Sequence, residues 1–123
     1  MAARILLVED DPEQADLFAR ALVISGYDVE TALDAGAALA LLREGAFDLM
    51  LLDWDLPGIK GDALIYLLKV EFPALKTMLF SNHTDIVEIG RISGADAWMM
   101  KSDGIHRLRE IIAGLLQPEV AGD

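Results

Sequence analysis

Short apolar runs alternate along this chain with segments whose apolar residues recur at helical spacing, and that alternation leaves few architectures open. Residues 5–8, 49–52 and 77–80 are nearly unbroken apolar stretches, as expected of strands covered on both faces. Residues 27–31 instead alternate apolar with polar, which predicts an edge strand with one solvated face, and residues 97–100 form a run short enough for the other edge. Between these runs Phe18, Ala21, Leu22 and Ser25 fall at i, i+3, i+4 and i+7, as do Ala35, Ala38, Leu39 and Leu42, and again Leu108, Ile111, Ile112 and Leu115. Leu64, Leu67 and Leu68 continue the habit. Five strand-then-helix repeats predict an α/β fold with a parallel sheet, right-handed crossovers and helices on both faces.

Punctuation agrees with the periods. Asp11-Pro12 reads as an N-cap followed by proline at the first helical position, with Gln14 placed to close a capping box; Asp34 and Asp85 are the corresponding later caps. Gly26, Gly45 and Gly94 each sit just past a helical pattern, where a left-handed residue is wanted. Residues 1–117 thus read as one domain. Residues 118–123 lose the pattern and read as a frayed tail, with no room for an output domain.

Composition narrows the chemistry. With a formal charge of −11 the 123-residue chain repels phosphate backbones and favours basic surfaces and divalent cations, so direct nucleic-acid binding is not expected. It has no cysteine, which excludes disulfides and thiolate metal sites. No stretch reaches the length of a membrane helix, and Met1-Ala2-Ala3-Arg4 passes into the first strand without a secretory apolar region. A cytoplasmic protein without a membrane partner is the expectation.

Two of the buried runs end in acid: residues 5–8 run into Glu9-Asp10-Asp11, and residues 49–52 into Asp53. In a parallel sheet these ends share the carboxyl edge, where open α/β folds bind ligands. Asp11 is accounted for by its cap role. Glu9 and Asp10 either accept backbone amides at the turn or ligate a cation. Clustered carboxylates repel one another unless a cation offsets them, and hard oxygen ligands without histidine suggest Mg²⁺. Two further strand ends supply a hydroxyl, Ser81, and an ammonium, Lys101. Each alone is an ordinary turn or surface residue; together with the acids they suit a phosphoryl group.

In these motifs the chain resembles the receiver domains of two-component response regulators, from Arg4-Ile-Leu-Leu-Val-Glu-Asp-Asp11 through Asp48-Leu-Met-Leu-Leu-Asp-Trp-Asp-Leu-Pro-Gly58 to Gly94-Ala-Asp-Ala-Trp-Met-Met-Lys101. The resemblance implies a doubly wound, flavodoxin-like sheet of order 2-1-3-4-5 with five helices. It implies that Asp53 accepts a phosphoryl group from a phosphohistidine on a histidine kinase or phosphotransfer protein. Glu9, Asp10, Asp53 and the backbone carbonyl of Asp55 would hold Mg²⁺, Ser81 would be the switch hydroxyl, Lys101 the phosphate partner, and Trp98 the aromatic that moves with the switch. The downstream target would be another protein. Such a domain modifies itself and is not a turnover enzyme.

The chain departs from that pattern in several places. Ser102 stands where the family usually has a cis proline, and a cis Lys-Ser bond would cost about 3 kcal/mol, so a trans bond is expected, with Ser102 and Asp103 capping the last helix. Asn82 either narrows access to Asp53 or serves a turn, and His83 reads as an exposed loop residue. Asp55 adds a carboxylate that could strengthen metal binding, orient a hydrolytic water or disfavour the phosphoryl group. Trp98, larger than the usual tyrosine or phenylalanine, reads either as an edge hydrophobe or as an exposed partner anchor. Trp54, next to Asp53, is placed to report metal binding by its fluorescence. Two other functions remain open: a receiver-like module that binds partners without phosphorylation, and a small phosphatase using Asp53-Trp54-Asp55 as an Asp-x-Asp motif like that of haloacid-dehalogenase-like enzymes.

Overall fold

The protein is described by a computed structural model over residues 2–56 and 61–117. Its elements run β1 (Arg4–Val8), α1 (Pro12–Ile24), β2 (Asp28–Ala32), α2 (Ala35–Glu44), β3 (Leu49–Asp53), α3 (Gly61–Glu71), β4 (Lys76–Ser81), α4 (Ile86–Ser93), β5 (Ala97–Met100), a 3-10 turn (Lys101–Asp103) and α5 (Gly104–Leu116). The five strands form one parallel sheet in the order β2-β1-β3-β4-β5, so the alternating segment and the short segment are the two edges, as their patterns predict. Pro57 and Gly58 of the loop after Asp53, and the tail, lie outside the described residues.

Strand alternation divides the core into two layers. Leu6, Val8, Met50, Leu52 and Leu79 pack with Ala38, Leu42, Leu64, Ile65, Leu68 and Ile86, which places α2, α3 and α4 on one face. Ile5, Leu7, Leu49, Leu51, Met78 and Phe80 pack with Ala15, Phe18, Leu22, Leu108 and Ile112 of α1 and α5 on the other. Successive side chains of β1 and β3 therefore enter opposite layers, which is why residues 5–8 and 49–52 are apolar without a break. Thr77, buried within β4, donates its N–H and hydroxyl to Asp96 Oδ2 at 2.8 and 3.2 Å, so its polar atoms are satisfied.

Helix ends follow the sequence reading only in part. Asp11 and Asp34 accept backbone N–H groups from Glu13 and Ala37. Asp85 occupies the cap position of α4 without a side-chain cap bond, and Asp103 precedes α5 without one; the Asp103 carboxylate instead accepts the Met100 N–H at 3.1 Å. Gly26 and Gly94 have φ of +99° and +83°, whereas Gly45, at φ −152°, is extended and not left-handed. No cis peptide bond occurs among the described residues, so Lys101-Ser102 is trans.

Candidate functional site

Register brings the chemistry to one edge. Val8 pairs with Leu52, Asp53 with Phe80 and Ser81 with Met100. Neighbouring strands are about 4.8 Å apart, so Glu9, Asp53, Ser81 and Lys101 follow one another across four adjacent strand ends. Glu9, Asp53 and Ser81 are buried, at 1, 3 and 0% exposure, while Asp10 faces solvent.

Carboxylate oxygens of Glu9, Asp10 and Asp53 lie within 4.8 Å of one another. Lys101 reaches into this cluster with a side chain only 8% exposed. Its Nζ donates to Gln14 Oε1 at 2.7 Å and Asp53 Oδ2 at 3.1 Å, with the two Glu9 oxygens at 3.4 Å, which engages all three ammonium protons. Its charge also lies 5.0 Å from the centre of the Phe80 ring. One ammonium against three carboxylates leaves two negative charges in excess when all three are ionised. The Glu9 carboxyl is raised from 4.5 to about 8, chiefly by burial and then by the adjoining Asp53 carboxylate, with Lys101 opposing the rise. A divalent cation on this oxygen set would remove both the repulsion and the need for the proton, so the residues present fit Mg²⁺.

The Asp53 carboxylate is held from both sides. Oδ1 accepts the Asp55 N–H at 2.9 Å, and Oδ2 takes Lys101. The Asp55 side chain turns toward β4, where it accepts the Ser81 hydroxyl at 2.9 Å and the Asn82 N–H at 3.2 Å, with His83 Nε2 at 3.3 Å. His83 is exposed, as expected, yet it belongs to this network.

Trp98 is half-buried, not an exposed anchor, and packs against the layer of α2, α3 and α4. Its indole lies on Gly90, where an added Cβ would come within 2.3 Å of the ring. Trp54 is also half-buried in that layer. Two residues of the site escape sequence reasoning. Gln14 bonds Lys101 instead of closing a capping box, and nothing local points to a partner so remote in sequence. Gly90 carried a usable signal, because a glycine inside a helix costs about 1 kcal/mol and so implies a packing reason.

Similar proteins share this architecture. The response regulator receiver domain family matches residues 5–113. The response regulator protein FleR of Pseudomonas aeruginosa is 31% identical over 116 residues, which are 92% of this chain and 24% of that protein. The DNA-binding response regulator MtrA of Mycolicibacterium smegmatis is 36% identical over 103 residues, covering 82% of this chain and 45% of that protein. The chain thus spans less than half the length of these relatives. The crystal structure of the response regulator protein TrrA from Thermotoga maritima, in complex with Mg²⁺-BeF, superposes with a TM-score of 0.83 at 29% identity, covering 93% of this chain and 99% of that one.

Proposed function

This chain belongs to the response regulator receiver domain family, and from that premise we propose that it is a Mg²⁺-dependent phosphoryl-accepting switch with Asp53 as the acceptor. The observation that carries the reading is the setting of Asp53, a buried carboxylate between the Lys101 ammonium and the Glu9 and Asp10 oxygens. The donor would be a phosphohistidine on a histidine kinase or phosphotransfer protein. An Asp53 oxygen attacks phosphorus, the phosphorus-nitrogen bond breaks, and the freed imidazole nitrogen takes up a proton.

Glu9, Asp10, Asp53 and the Asp55 carbonyl would hold the ion, which when bound would offset the charge of an anionic nucleophile meeting an anionic donor. Lys101 already lies 3.1 Å from Asp53 Oδ2 and can pair with a phosphoryl oxygen added there. Ser81, at the end of the adjoining strand, supplies a hydroxyl donor. Phosphorylation adds charge and acceptor oxygens, drawing both donors inward and shifting the loops that carry them. Trp98, packed on α4 beside those loops, would transmit the shift to a protein target.

The Asp-x-Asp phosphatase reading has less support, since the Asp55 carboxylate is engaged by Ser81 and Asn82 instead of being free to protonate a leaving group. Intact mass measured after incubation with Mg²⁺ and a small acyl phosphate tests the proposal. A labile phosphoryl adduct absent from Asp53→Asn is expected. No adduct under any condition would refute it and favour a module that works without phosphorylation.

A further inference from the structure

The Asp55 carboxylate performs a task that phosphoryl acceptance by Asp53 does not require. Ser81 is fully buried, with one hydroxyl hydrogen to donate, and that hydrogen is directed at Asp55: Oγ lies 2.9 Å from Oδ1 and 3.1 Å from Oδ2. The N–H of Asn82 donates to the same carboxylate, and the N–H of His83 returns to Ser81 Oγ at 3.1 Å. Through its own N–H, Asp55 also holds Asp53 Oδ1 at 2.9 Å. One residue therefore grips the acceptor by its backbone and the hydroxyl of the adjoining strand by its side chain.

We propose that Asp55 is a positioning residue that competes with a phosphoryl group on Asp53 for the Ser81 hydroxyl, and so sets how far phosphorylation moves the switch. The inference rests on Asp53 being the phosphoacceptor. A hydroxyl has a single proton and serves one strong acceptor at a time. A carboxylate and a phosphoryl oxygen are both charged acceptors of similar strength, so the exchange between them is nearly balanced. Where the resting acceptor is neutral or absent, the buried hydroxyl gains a partner on phosphorylation without giving one up. Release of Ser81 also frees the carboxylate that holds the Asn82 N–H, which couples the exchange to the loop after β4.

Asp55→Ala, Ser81→Ala and the double variant test this in two ways, with Asp55→Asn as a second probe that keeps the side-chain shape. Urea unfolding of the metal-free proteins should show the two substitutions to be non-additive, because they share one contact. Additive effects would overturn the resting contact whatever Asp53 does. Titration calorimetry with Mg²⁺ and beryllofluoride, a phosphoryl mimic, gives the second readout. Asp55→Ala should tighten beryllofluoride binding about tenfold more when Ser81 is present than in the Ser81→Ala background, and Asp55→Asn should act in the same direction but less. Equal gains in both backgrounds would mean that only the charge of Asp55 matters, and would refute competition for the hydroxyl. Non-additive unfolding across the variants, together with a wild-type protein that neither binds beryllofluoride nor forms an adduct, would instead refute the phosphoacceptor reading, and the inference with it.

Discussion

Gly90→Ala separates two opposing effects whose magnitudes follow from the position of the indole. A glycine inside a helix is about 1 kcal/mol less favourable than alanine, so propensity alone makes the substitution stabilising. At Gly90 the new methyl would meet Trp98 Cδ2, Cγ and Cε3 at 2.3, 2.4 and 2.6 Å, whereas carbon atoms in contact rest about 3.5 Å or more apart. The ring must retreat by roughly 1 Å, and because Cγ lies near the root of the side chain, a small bend at its tip cannot relieve the clash. Overpacking of this kind costs about 1–3 kcal/mol. The net expectation is a loss of about 1 kcal/mol, or about 4 °C in melting temperature for a domain of this size. In a Trp98→Ala background the methyl meets space, and the same change should stabilise by about 1 kcal/mol. The two effects therefore differ by about 2 kcal/mol, well above the error of additivity for independent sites. Urea unfolding followed by circular dichroism measures both, and in a Trp54→Phe protein the Trp98 emission should shift to the red as the ring is displaced. Equal stabilisation in both backgrounds, with unchanged emission, would show that the indole does not rest on α4 and would remove the route by which Trp98 is argued to follow the switch.

The raised Glu9 carboxyl predicts a pH dependence of defined sign. The folded metal-free protein keeps a proton that the unfolded chain releases above about 4.5, so this group's contribution to stability is full below that value and falls as pH rises toward about 8. Melting temperatures measured in chelator should decline across that window and Glu9→Gln should flatten the decline, while Mg²⁺ affinity should rise with pH until about 8; an identical slope in Glu9→Gln would show that another group is responsible. At the start of α2, Asp34 Oδ1 accepts the Ala37 N–H at 2.7 Å. Asp34→Ala should therefore cost about 1 kcal/mol in urea unfolding and Asp34→Ser much less, and equal losses would discount the cap.

Much of the molecule is legible locally. A strand buried on both faces must be apolar throughout, a surface helix must repeat its apolar residues every three or four positions, and a strand end on a parallel sheet must face the edge where ligands bind. The sequence alone therefore places Glu9, Asp53, Ser81 and Lys101 together, and distinguishes the two edge strands by their alternation and shortness. Caps were less secure. Asp11 and Asp34 bind backbone N–H groups as expected, while Asp85 has no side-chain cap bond and Asp103 takes the Met100 N–H, because a short polar side chain has several backbone groups within reach and local spacing does not rank them.

What tertiary structure alone decided is which partner each polar group takes. Ser81 was legible as a hydroxyl at the carboxyl edge of the sheet, but its proton is directed at Asp55, 26 residues away, and the shortest hydrogen bond of Lys101 is to Gln14, 87 residues away. Trp98 was legible as an unusually large aromatic; that it lies on the bare backbone of Gly90 depends on how α4 crosses the edge of the sheet. Sequence determines what a residue can donate, accept or bury, because those properties belong to the side chain and its nearest neighbours along the chain. A hydrogen bond, by contrast, goes to the best-aligned acceptor within about 3 Å, and only the packing of strands and helices determines which acceptor that is.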